Sequence, residues 1–134
     1  MNRYFILALF VILCTATSLF SQTKNHFSDF KSGMQDESIQ QQALNAVNQK
    51  AENEKWKERY SKATILSTDW EIQQNEYTGN IICRKLYMVL YGVWPDGKCK
   101  AVKFGFRQDY TGGGTFSENL LYNSIGDMTD IECD

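Results

Sequence analysis

Trp94-Pro95-Asp96-Gly97-Lys98 constrains this chain more than any other stretch of its sequence. Proline presets φ for the first turn position, aspartate suits the second, and glycine takes the left-handed residue of a three-residue hairpin loop. Such a loop sets Trp94 against Lys98, so facing residues on the two strands have numbers that sum to 192. Leu90 then faces Val102, Met88 faces Phe104 and Leu86 faces Phe106, which gathers one apolar face. A two-residue loop would shift the pairing by one and oppose these residues to Lys103 and Arg107. Turn chemistry and side-chain parity therefore select the same register.

The opposite face of this hairpin carries Tyr87, Val89, Tyr91 and Val93 beside Lys85, Lys103 and Arg107. Tyr87 falls across from Gly105, where an aromatic ring can cover a bare backbone. Rings interleaved with cations are the chemistry of interface anchors. Tyr87, Tyr91, Lys103 and Arg107 are accordingly the residues expected to meet a partner, provided that no other element covers them.

Around the hairpin the sequence reads as α+β. From Asp36 to about Ala63 no Gly or Pro interrupts a run rich in Gln, Ala, Lys and Glu. Ile39, Ala43, Val47 and Ala51 recur every fourth residue, and Trp56, Tyr60 and Ala63 continue the stripe with a slip. This predicts one long amphipathic helix over 36–63. Thr68 to Glu76 alternates as a strand, Tyr77 to Asn80 is a turn, and Ile81 to Trp94 is a long strand. Asp109 to Gly114 forms another turn. Thr115 to Ser124 reads as a fourth strand, with a short capped helix over 117–126 as the alternative, and 127–134 as a tail or last edge strand. The expected architecture is one long N-terminal helix packed on an antiparallel β-meander of about four to five strands. That order resembles the outline of cystatin-like α+β folds, an analogy of architecture alone. The Gln-x-Val-x-Gly motif of the cystatins is absent, so their inhibitory activity is not implied.

The first 21 residues say where the chain goes. Asn2-Arg3 precedes an apolar run from Tyr4 to Cys14, followed by small residues at Ala16-Thr17-Ser18 and at Ser21. This is the anatomy of a secretory signal peptide, with cleavage after Ser18 or Ser21. The run is about half the roughly 20 residues a membrane span needs. Leu13 before Cys14 is too bulky for a lipoprotein cleavage site. Residues 22–35 lack periodicity and read as a flexible leader, leaving 36–134 as a single domain. The expected location is secreted or periplasmic, with no stable membrane anchor after cleavage.

Export gives the cysteines their meaning. With Cys14 set aside, Cys83, Cys99 and Cys133 remain, and an oxidising compartment favours one bridge. In the hairpin register Cys99 faces Val93, and Cys83 lies ten residues earlier, about 30 Å along the sheet. That is beyond any disulfide. Cys99 with Cys133 is the expected pair and Cys83 the buried free thiol.

Chemistry beyond this is sparse. Removing Arg3 leaves 13 basic against 16 acidic residues, a net charge near −3. No basic footprint for nucleic acid is present. His26, the single histidine, has no nucleophile nearby in sequence, and no Cys-x-x-Cys supports a zinc site. Asp127, Asp130, Glu132 and Asp134 lack EF-hand spacing and read as a solvated end. Gly112-Gly113-Gly114 has no Gly-Lys-Ser/Thr after it and reads as a turn. No cofactor or metal is expected. The leading functional reading is an exported, non-catalytic binding domain for a protein or cell-envelope ligand. An inhibitor or immunity-type protein presenting 95–97 or 109–114 to a hydrolase is the alternative. A small hydrolase using Asp69, Glu71, Asp109 or Asp127 is the third, and it would need two of these to converge with separated pKa values.

Overall fold

In a computed structural model, residues 25–134 are described, and they form one helix on a curled antiparallel sheet of six strands. The elements are α1 (Glu37–Asn53), β1 (Arg59–Ile65), β2 (Glu71–Gln74), β3 (Ile81–Val93), β4 (Cys99–Gly112), β5 (Thr115–Phe116) and β6 (Leu121–Ile131). The expected signal peptide, with Cys14 and both expected cleavage positions, lies outside the described residues.

The β3–β4 hairpin is the centre of the sheet. Its register runs from Cys83↔Asp109 to Val93↔Cys99, with Leu86↔Phe106, Met88↔Phe104 and Leu90↔Val102 as the turn chemistry requires. Trp94 N–H donates to Lys98 C=O at 2.9 Å, and Gly97 sits at φ 80°. β1 and β2 share the outer side of β3, β1 along 88–93 and β2 along 81–85. β6 and the short β5 lie on the outer side of β4.

α1 covers the even-numbered face of the hairpin over Leu86–Leu90 and Val102–Phe106. Ile39, Ala43 and Val47 pack with Tyr60, Ile65, Leu86, Met88, Leu90, Val102, Phe104 and Phe106 in the main core. Asp36 caps its start, accepting from Ile39 N–H at 3.1 Å. Its amide side chains do a second job along the β1 edge. Asn48 donates to Tyr60 C=O and accepts from Tyr60 N–H, at 2.8 and 2.9 Å, and Gln40 donates to Ala63 C=O at 2.9 Å.

Several boundaries differ from the sequence expectation. α1 ends at Asn53, and Arg59–Ile65, expected to continue the helix as far as Ala63, is strand β1. The stop is a Schellman turn: Trp56 N–H donates to Ala51 C=O at 2.7 Å and Lys55 N–H to Glu52 C=O at 3.2 Å. Lys55 takes the left-handed position at φ 59°, where glycine is usual. The expected fourth strand over 115–124 is two strands, because the Ser117–Leu120 loop interrupts the antiparallel pairing with β4 between Tyr110 and Arg107. The meander therefore has six strands.

The expected leader is not free from Asn25 onward. Phe27 is buried in a 3-10 turn, Gly33 N–H donates to Ile65 C=O at 2.8 Å, and Met34 N–H to Ser67 C=O at 3.0 Å. At Gly33 a side-chain Cβ would stand 2.2 Å from Ser67 C=O oxygen, so only glycine permits this approach. Glu132 N–H donates to Asn25 C=O at 2.8 Å, which brings the start of the described chain beside the end of β6.

Candidate functional site

The odd-numbered hairpin face is divided in two. Toward the 95–97 tip it is core: Val89, Tyr91, Cys99 and Ala101 are buried with Phe27, and Phe30, Leu66 and Ile131 pack around them. The Phe27 ring meets Tyr91 edge-on at 5.7 Å. The Tyr91 hydroxyl donates toward Cys99 Sγ at 3.1 Å and accepts from Asp134 N–H at 3.1 Å. At 5% exposure Tyr91 offers no binding surface. This corrects the expectation that placed it with the partner-binding residues: the segment before α1 supplies the covering layer that the sequence, read without periodicity there, did not reveal.

The Cys99–Cys133 disulfide, buried at Cys99 and exposed at Cys133, spans a separation of 34 residues, with Cα atoms 5.3 Å apart. It fastens the end of β6 to the start of β4, where Cys99 pairs with Ile131. Cys83 is a buried free thiol at the far end of β3, donating to Gln73 Oε1 at 3.6 Å.

The other half of the face is open. Tyr87, Lys103, Gly105, Ser124, Gly126 and Asp127 line a shallow hollow of about 180 Å³. Lys103 Nζ stands 5.2 Å from the Tyr87 ring, within cation–π range. The Tyr87 ring lies against Gly105, 3.3 Å from where a Cβ would be. Ser67 Oγ accepts from Tyr87 N–H at 2.9 Å, which fixes the strand under the ring. Lys85 and Arg107 pair across β3 and β4 one register step beyond, and Arg107 Nε lies 3.2 Å from Asp109 Oδ1. Three of the four expected residues (Tyr87, Lys103 and Arg107) thus share an accessible surface, and Tyr91 does not.

The residues considered for catalysis are dispersed. His26 is exposed at the 3-10 turn, its backbone N–H bound to Asp29 Oδ2 at 2.8 Å, at the opposite end of the sheet from Cys83. Asp69 accepts from Trp70 N–H at 2.7 Å, Glu71 faces Lys85, Asp109 is paired with Arg107, and Asp127 borders the hollow. Asp130 and Asp134 pair with Lys100 and Lys62, at 3.4 and 2.7 Å. Among the described residues no group of three or more His, Cys, Asp or Glu side chains is placed to hold a metal ion. The 109–114 segment is mostly strand, with the turn confined to Gly113 and Gly114. No family model matches the chain, and no curated protein or solved structure matches it.

Proposed function

We propose that this chain is an exported, non-catalytic binding domain whose contact surface is the open half of the odd-numbered hairpin face. The observation that carries this reading is the pairing of an accessible aromatic ring, Tyr87, with an exposed cation, Lys103, over a hollow floored by Gly105. Tyrosine ordered by its neighbours gives contact area at little entropic cost, and lysine supplies a charge that orients a partner. A protein or another component of the cell envelope is the expected ligand. Export is supported by the signal-like first 21 residues and by the Cys99–Cys133 bond, which persists in oxidising compartments. No helix among the described residues is long and apolar enough to cross a membrane.

The test is capture from a cell-envelope extract by immobilised mature protein, comparing wild type with Lys103→Glu. A ligand retained by wild type and lost in the variant, at unchanged thermal midpoint, supports the reading. Equal retention by both places the contact elsewhere. Tyr91→Ala serves as the contrast, because it should unfold the domain rather than weaken binding selectively.

A further inference from the structure

The helix does not cover the even-numbered face along its whole length. α1 packs over Leu86, Met88 and Leu90, and beyond Leu86 the face continues through Arg84 and Ile82. Arg84 stands opposite Gln108 on β4 and donates from both Nε and Nη2 to Gln108 Oε1, at 2.9 and 2.7 Å. Gln108 is 3% exposed and donates onward to Glu118 C=O at 3.2 Å. The guanidinium carbon lies 4.2 Å from the Trp70 ring and 4.7 Å from the Phe116 ring. Trp70 leads into β2 and Phe116 belongs to β5, so the two rings reach the cation from opposite flanks of the hairpin. Ile72, which pairs with Arg84, and Ile82 are each 47% exposed.

The cluster lacks one component. Arg107 has Asp109 and Lys62 has Asp134, but among the described residues no carboxylate pairs with Arg84. A guanidinium carries five N–H donors. Two serve Gln108, so three are left over in partly dry, aromatic surroundings, and this burial lowers the Arg84 pKa from its ordinary value. The plainer account is a stack that fastens the 117–120 loop to the sheet. It explains Trp70, Phe116 and Gln108. It leaves the spare donors and the two exposed isoleucines beside them without a role.

We infer that this end of the core face is a docking site for an acidic side chain presented between apolar residues of a partner polypeptide. Charge complementarity selects that occupant. A carboxylate takes two parallel hydrogen bonds from a guanidinium fork, and the flanking rings hold the fork in place. Apolar neighbours of the acid would rest on Ile72 and Ile82. The whole chain carries a formal charge of −2, so attraction is local to Arg84 and not a property of the general surface. The inference rests on the reading of the chain as a binding domain but uses the face opposite to Tyr87 and Lys103.

The test titrates the disulfide-bonded mature protein with two blocked peptides, acetyl-Ser-Leu-Glu-Leu-Ser-amide and its glutamine counterpart. The readout is the NMR signals of the Trp70 indole N–H and the Arg84 Nε–H. The glutamate peptide should shift both signals, weaken as salt rises, and bind at least tenfold tighter than the glutamine peptide. Ile72→Glu, at a half-exposed position on β2, should lower the affinity at least tenfold at unchanged thermal midpoint, and Lys103→Glu should leave it unchanged. Arg84→Gln should abolish binding if it folds, and Ile72→Glu decides the matter if it does not. Equal binding of both peptides, or no shift at millimolar peptide, overturns the inference. So does a self-association that Ile72→Glu removes, which would make a second copy the occupant. Loss of envelope capture in Lys103→Glu with no peptide binding at Arg84 would leave the hollow as the binding surface and refute this site alone.

Discussion

Asn48 hydrogen-bonds both backbone groups of Tyr60, donating to its carbonyl at 2.8 Å and accepting from its N–H at 2.9 Å. A helical side chain thus does for β1 what a neighbouring strand would do. The Tyr60 ring is buried against Phe104 at 5.2 Å, so this backbone pair is held at the margin of the core. Asn48→Leu should cost about 1 to 3 kcal/mol, the range for leaving buried polar groups without partners. Equilibrium denaturation in urea measures it, and a cost near zero would mean that water replaces the amide.

The Schellman turn predicts a stabilising substitution. Lys55 holds a left-handed conformation that a Cβ disfavours by roughly 1 kcal/mol or more. Lys55→Gly relieves this at some entropic cost to the unfolded chain. The expected net gain is on the order of 0.5 to 1 kcal/mol, read as a rise in thermal midpoint. A fall would show that the Lys55 side chain contributes contacts that outweigh its backbone strain.

Tyr60 links stability to alkaline pH. Burial first, and then the nearby Glu58 carboxylate, raise its pKa well above the ordinary 10.0. The folded state therefore keeps this proton where the unfolded chain has released it. The associated stability is complete below pH 10 and is lost progressively as pH rises above it. Tyr60→Phe should flatten the decline of the urea midpoint between about pH 10 and 12. An unchanged slope in the variant would assign the decline to other groups.

The Cys99–Cys133 bond closes a loop of about 35 residues, worth roughly 3 to 4 kcal/mol in the chain-entropy model. Reduction should lower stability by that order, and non-reducing peptide mapping should recover Cys83 as a free thiol. A peptide cross-linked through Cys83 would contradict the register of β3 against β4.

Legibility in the sequence followed the strength of local chemistry. Pro95-Asp96-Gly97 specifies a turn with few alternatives, and parity then orders Leu86 through Phe106 without further information. The disulfide came from the same register by elimination. The helix stop was hidden because Lys55 fills a position where glycine would have announced it. Phe27 and Gly33 escaped notice because a segment that adheres through one ring and two backbone hydrogen bonds has no period to detect. The hollow was half legible: alternation placed Tyr87, Lys103 and Arg107 together, but nothing local marked Tyr91 as covered. Arg84, Trp70 and Phe116 were missed. They are 14 and 32 residues from Arg84 along the chain, and only the assembled order β2-β3-β4-β5 brings them together.

The hydrogen bond from Glu132 to Asn25 has an orienting consequence. Asn25 and the end of the last strand share one corner of the domain, beside Cys99. Gln108 lies nine residues farther along β4, about 30 Å along the strand, with Arg84 across from it on β3. A surface that held the protein by either end would therefore turn the Arg84 cluster outward, with the full length of the sheet as a spacer.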